Sequence, residues 1–117
     1  MILVDTDALI DSLRRGRRIG DAISVLTVLE FLRGIPEKDR KGTKELLESS
    51  FEVVGLDNEV ILEYCRLYDL LRREGKLIGD ADLIIGATAI SKGMELLTRN
   101  AKHFKRLEEH GLVLVDG

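Results

Sequence analysis

Residues 2–11 read ILVDTDALID. An apolar run, Ile2 to Val4, meets two carboxylates, Asp5 and Asp7, and a second apolar group follows at once. The run is short and apolar on both sides, which is the pattern of a buried parallel strand rather than of a half-exposed one. Asp7 to Arg15 then places Ala8, Leu9, Ser12 and Leu13 at helical spacing. A strand that passes directly into a helix, with acids at the junction, predicts an α/β fold with chemistry at the strand end. Two neighbouring carboxylates repel, and burial adds to the cost unless a cation or proton compensates.

The rest of the chain repeats this grammar. Ala22 to Val25 predicts a second strand running into a helix through SVLTVLEFLRG, stopped by Gly34 and Pro36. Glu37 to Ser50 predicts a helix, FEVVGL a third strand, and NEVILEYCRLYDLLRREG a long amphipathic helix. Its stripe is Val60, Ile61, Tyr64, Leu67, Tyr68 and Leu71, with Gly75 closing it. Asp80 to Ser91 predicts another helix, MELLT a fourth strand, Ala101 to His110 a last helix and LVLV a final strand. Strands alternating with helices predict a three-layer α/β/α sandwich around a central parallel sheet, in one domain over residues 1–117.

Composition narrows the classes. Formal net charge is −3, so contact with a polyanion must come from local patches. The charged fraction is 33%, glutamine is absent, and asparagine occurs only at Asn58 and Asn100. Cys65 is the single cysteine, which excludes an intramolecular disulfide and a multi-cysteine zinc site and fits a reducing cytoplasm. It is expected in the core. No apolar run approaches the roughly 18 residues of a membrane span, and no leader pattern is visible.

The acids separate by context. An acid after a strand can cap the next helix. Asp7 is the expected cap, and Asp5 is left for chemistry. Glu30 lies inside VLTVLEFLRG, surrounded by Leu26, Val28, Leu29, Phe31 and Leu32. A buried glutamate needs a partner, and with Ser24 as the N-cap Glu30 sits in mid-helix with no structural role. In IGDADLIIGATA, Asp80 fits the N-cap, while Asp82 lies in the first turn on a face continued by Gly86, Ala89 and Gly93. In TRNAKHF, Thr98, Asn100 and His103 are polar groups after the fourth strand. His103 is by default a surface histidine, with metal ligand or base as its functional alternatives. Asp5, Glu30 and Asp82 from three segments, with Asn100 nearby, form an oxygen-rich set suited to Mg²⁺ or Mn²⁺.

Four stretches in order carry a resemblance that spans essentially the whole chain. ILVDTDALID, SVLTVLEFLRGI, IGDADLIIGATAISKG and LLTRNAKHF resemble the motifs of PIN-domain ribonucleases, specifically VapC-type toxins of VapBC toxin–antitoxin pairs. Asp5, Glu30 and Asp82 match the family's acids. Asp7 stands where Asn or Ser is more common, His103 replaces the acid before Phe104, and Asn100 stands where some members have Asp. The resemblance implies metal-dependent RNA cleavage, one Mg²⁺ or Mn²⁺ held by Asp5 and Asp82 with Glu30 either binding it directly or orienting the attacking water, a second metal less supported, and Thr98 and Asn100 in supporting positions. It also implies a homodimer and a VapB-type antitoxin that covers the site. Arg14, Arg15, Arg17 and Arg18 form a basic turn, solvated by default, that would meet RNA phosphates. Two alternatives remain open: a haloacid-dehalogenase-like phosphatase using Asp5 and Asp7, to whose later motif GDADL is faintly similar, and a non-catalytic PIN domain that binds RNA or protein.

Overall fold

The computed structural model describes residues 1–115. The elements follow in the order β1 (Ile2–Val4), α1 (Thr6–Arg14), β2 (Ala22–Ser24), α2 (Val25–Arg33), α3 (Glu37–Ser50) and β3 (Glu52–Val54). After these come α4 (Asn58–Arg73), α5 (Asp80–Ser91), β4 (Glu95–Leu97), α6 (Ala101–Phe104), a 3₁₀ segment (Lys105–His110) and β5 (Leu114–Val115). The sheet order is β3-β2-β1-β4-β5, and every neighbouring pair is parallel. Parallel neighbours need long crossovers, and the helices supply them.

Alternation along each strand divides the core in two. Leu3, Ala22 and Leu96 point to one face, where Leu67 and Leu71 of α4, Leu83 of α5, Phe104 and Leu107 cover them. Val4, Ile23 and Leu97 point to the other, against Ala8 and Leu9 of α1, Val28 of α2, and Leu47 and Phe51. The expected three-layer α/β/α sandwich is the observed one. The chain leaves β1 for β2 on one side of the sheet and places β4 and β5 on the other. The strand order therefore reverses between β1 and β4, and a crevice opens beyond their carboxyl ends.

Several local expectations are corrected. Cys65 is exposed, not in the core. It lies two residues from buried Leu67, about 200° around the helix, so the stripe that buries Leu67 turns Cys65 outward. Ile61 of the predicted stripe is 48% exposed, and Leu13 of α1 is 47% exposed. Helix α2 buries only Thr27 and Val28, and Leu29 is 60% exposed. Its apolar residues exceed what one helix face can cover. The last predicted helix is four α-helical residues followed by a 3₁₀ turn. Gly93 does not mark a close approach. Its φ is +64°, and a Cβ there would meet nothing within 4 Å, so it serves the turn into β4. Gly86 is the close approach, because a Cβ there would overlap the fully buried Leu107 side chain.

Candidate metal centre

Asp5 is the first residue after β1 and the N-cap of α1. Its Oδ1 accepts from the Ala8 N–H at 2.9 Å, and its Oδ2 accepts from the Thr98 hydroxyl. Only 4% of the residue is exposed. Burial pushes its carboxyl above the ordinary value. The bonds from Thr98 and Ala8 oppose that shift, and repulsion from Asp7 and Asp82 adds to it. The cap therefore falls on Asp5 and not on Asp7, because the helix starts at Thr6, earlier than expected. Asp7 is exposed in the first turn, where its Oδ2 accepts from Asn100 Nδ2 at 2.6 Å. One residue thus carries both a capping bond and a carboxylate edge in the crevice.

Glu30 enters from α2, whose N-cap is Ser24 as expected, with Ser24 Oγ accepting from the Leu26 N–H at 3.0 Å. The Thr6 hydroxyl donates to Glu30 Oε1 at 2.7 Å and lies 3.2 Å from Thr27 Oγ1. Arg33, one turn on, reaches Glu30 Oε2 at 3.8 Å. Glu30 is half-buried rather than enclosed by apolar neighbours, because Leu29 and Arg33 beside it face solvent.

Asp82 lies in the first turn of α5, where the positive helix end favours an anion. The N-cap is Gly79, without a side-chain bond, so the expected cap at Asp80 is corrected. Asp80 instead accepts from the Tyr64 hydroxyl at 2.7 Å, and that bond pushes the Tyr64 pKa up to about 12. Asp82 Oδ2 is 3.3 Å from His103 Nδ1. His103 is an exposed residue, as the default held, yet it touches the acid set. Thr98 is buried behind Asp5, and its Oγ1 accepts from the Asn100 N–H at 2.9 Å.

One cleft of about 280 Å³ is lined by Asp5, Asp7, Glu30, Asp82, Asn100 and Arg33. Three acids remote in sequence therefore converge. Asp80 is held by Tyr64 outside that lining, and Thr98 stands beneath it. Arg14, Arg15, Arg17 and Arg18 are not brought there. They begin at the far end of α1, about 13 Å along its axis. Arg17 and Arg18 line a different groove, and Arg18 stacks over Phe51 at 5.3 Å. The reading of the sequence alone missed Thr6 and Arg33. Thr6 between two acids, and Arg33 three residues after Glu30 on one helix, were the available signals.

The acids share a cleft without closing on a point. Among the described residues, the group of three ligating side chains with ligand atoms within 4.8 Å of one another is Glu74, Glu109 and His110, on the surface elsewhere. Asp5 is tied by Thr98 and Ala8, Glu30 by Thr6, and Asp82 by His103, so each carboxylate is held by a separate partner, and each of those partners except Ala8 comes from a different segment of the chain. Four carboxylates facing one guanidinium form an oxygen-donor set of excess negative charge. That chemistry fits a hard divalent cation that keeps part of its water shell.

A parallel sheet with carboxylates gathered in a cleft at its switch point defines an α/β protein with an acidic site whose donors suit a divalent cation. The comparisons with known proteins narrow that class. The PIN domain family model matches residues 2–110. The chain is 44% identical to Ribonuclease VapC1 of Methanocaldococcus jannaschii, over 98% of this chain and 87% of that one. It is 32% identical to Ribonuclease VapC10 of Mycobacterium tuberculosis, over 93% and 90%. A chain in the structure of VapBC-1 from nontypeable Haemophilus influenzae superimposes with a TM-score of 0.82 at 25% identity, covering 99% of this chain and 98% of that one. The chain belongs to the PIN-domain family, among its VapC ribonucleases. The phosphatase alternative is thereby set aside.

Proposed function

We propose that the chain, read as one nuclease domain over residues 1–117, is an endoribonuclease of the VapC type in which Asp5, Glu30 and Asp82 hold Mg²⁺ or Mn²⁺. Divalent-metal dependence is general in its family. The observation that carries the assignment is the convergence of three acids from β1, α2 and α5 on one cleft at the switch point. The bound metal would supply Lewis acidity and a more acidic water at the scissile phosphodiester. The protein's part is to orient. Thr98 and the Ala8 N–H fix both oxygens of Asp5, Thr6 turns Glu30 inward, and His103 steadies Asp82. Asn100 holds Asp7 at the rim. Mg²⁺ and Mn²⁺ both suit an all-oxygen set, and a second ion has weaker support because His103 replaces an acid.

The partners we assign are an RNA substrate, a VapB-type antitoxin and a second copy of the chain. A groove of about 900 Å³ lined by Leu13, Phe31, Ile35, Leu46 and Phe51 supports the antitoxin. Leu46 and Leu13 are 64% and 47% exposed there, and an open apolar groove of that size favours a cover. No described helix is long and apolar enough to cross a membrane, and a cytoplasmic setting suits this function.

The test is incubation of the protein with a mixed RNA pool and Mn²⁺ or Mg²⁺ beside its Asp5→Asn variant. Cleavage by the wild type alone supports the assignment. Equal cleavage by both removes Asp5 from the site and rejects the metal-centre assignment, and no cleavage by the wild type favours a non-catalytic PIN domain.

A further inference from the structure

The acid cleft poses an electrostatic problem for its proposed substrate. RNA must bring phosphates to a patch of four carboxylates on a chain of net charge −3. The basic turn at Arg14 to Arg18 lies at the far end of α1 and does not border the cleft.

A second cavity, of about 290 Å³, shares one wall with the acid cleft, namely Asp82. Its other lining is Ile78, Gly79, Lys102, His103 and Arg106. Within that lining, His103 Nδ1 lies 3.3 Å from Oδ2 of Asp82. Lys102 and Arg106 form the cationic remainder. Both are exposed residues, and four positions of α6 and the 3₁₀ segment separate them. Arg106 is held in place by one Nη1 bond to the Lys76 carbonyl at 3.1 Å, which leaves the rest of its guanidinium for another acceptor. Among the described residues, the cations lining either cavity are Arg33 on one side of the acids and Lys102 and Arg106 on the other, with His103 between.

We infer that the Lys102–Arg106 cavity binds a phosphodiester of the RNA strand next to the one at the metal cleft. The inference rests on the nuclease reading and adds a direction to it: the strand crosses the acids from Arg33 toward Lys102 and Arg106. Arginine presents a planar fork to phosphate oxygens and lysine a mobile point charge, so together they clamp an anion without reading sequence. The cations offset the repulsion that the carboxylates impose on an incoming strand.

The experiment measures binding of a short labelled single-stranded RNA of mixed sequence by fluorescence anisotropy, in EDTA and across a salt series. The proteins are the wild type, Lys102→Ala/Arg106→Ala, and the charge-matched Arg14→Ala/Arg17→Ala. Lys102→Gln alone is included because it leaves the Arg106–Lys76 bond intact. The salt slope for single strands is about 0.7 per phosphate contact. The Lys102/Arg106 pair is expected to lose about that much slope and about tenfold in affinity, Lys102→Gln part of both, and the Arg14/Arg17 pair neither. An unchanged slope in the Lys102/Arg106 pair, an equal drop in both pairs, or no RNA binding by the wild type overturns the inference. Metal-dependent cleavage by the wild type against Asp5→Asn reads the nuclease assignment separately. Slope loss without Asp5-dependent cleavage leaves the phosphate site standing alone. Cleavage with an unchanged slope removes the site and leaves the nuclease.

Discussion

Thr98 donates its hydroxyl to Oδ2 of Asp5 across the gap where the strand order of the sheet reverses, although the two residues are 93 apart in sequence. The same Asp5 accepts a backbone bond from Ala8 through Oδ1. Its backbone N–H also donates to the Leu97 carbonyl at 3.1 Å, next to Thr98. The acid is thus fixed from both strands that border the crevice. Thr98→Val keeps the shape and removes the donor. A buried acceptor left without its partner costs about 1–3 kcal/mol. Urea denaturation should show a loss of that size. Unchanged stability would mean that the hydroxyl bond contributes nothing net.

The state of Asp5 also predicts a pH dependence for the metal-free protein. Burial raises its native pKa above the ordinary 3.8, with repulsion from Asp7 and Asp82 adding to the shift. A raised native pKa means that the folded state holds the proton more tightly than the unfolded chain does. The associated stability is present below 3.8 and is lost as pH rises through the native value. Asp5→Asn keeps an acceptor for Thr98 and cannot ionise. It should be more stable than the wild type at neutral pH in EDTA, with a flatter stability–pH curve across that window. A wild type that gains stability relative to Asp5→Asn over the same rise in pH would contradict the account.

Much of this arrangement was legible in the sequence, for physical reasons. Strand alternation and helix periodicity follow from which faces are buried, so the parallel three-layer fold could be read from Ile2–Val4 and its repeats. The acid trio was legible because carboxylates beside apolar runs have few structural roles. The capping assignments were not. Whether Asp5 or Asp7 caps α1 depends on a two-residue difference in helix start, and Asp80 was claimed by Tyr64 from another helix. Cys65 was misplaced because Tyr64 and Leu67 beside it are inward-facing, and one residue of helix turns a side chain by about 100°. The separation of the Arg14–Arg18 turn from the acids is likewise a property of the folded distance along α1, invisible as spacing in the chain.

Thr6 is the residue that turns Glu30 toward the cleft, through a 2.7 Å bond across 24 positions of sequence. It binds no metal itself in the proposed arrangement. Residues that orient a ligand typically matter by about 10–100-fold in metal affinity. Thr6→Val should weaken Mn²⁺ binding, measured by calorimetry, by about tenfold. Thr6→Ser keeps the hydroxyl and should restore most of it. Equal affinity for wild type, Val and Ser would show that Glu30 finds its position unaided.

Metal binding should also register as stability. A ligand that binds only the folded state at 100 times its Kd adds about 2.7 kcal/mol. Saturating Mn²⁺ should raise the thermal midpoint of the wild type, and chelation should reverse it. Asp82→Asn and Glu30→Gln should each reduce the rise. A rise that survives both substitutions but vanishes on Glu74→Gln would place the ion at the Glu74, Glu109 and His110 cluster instead.

Gly86 links the packing of α5 to the placement of the residues beside the cleft. A Cβ at this position would overlap Leu107, a fully buried residue of the 3₁₀ segment. That segment continues α6, which carries Lys102 and His103. Leu107 has little room to rotate, because Phe104 and Leu112 share its cluster and are themselves buried. Gly86→Ala is expected to cost about 1–3 kcal/mol through overpacking, less the small gain in helix propensity. Leu107→Ala alone should cost about 2–5 kcal/mol by leaving a cavity. In the double variant the new methyl partly occupies that cavity. The two losses should then sum to more than the measured one, with a coupling of about 1 kcal/mol in a double-mutant cycle. Strict additivity would show that α5 and the 3₁₀ segment do not depend on this contact for their spacing.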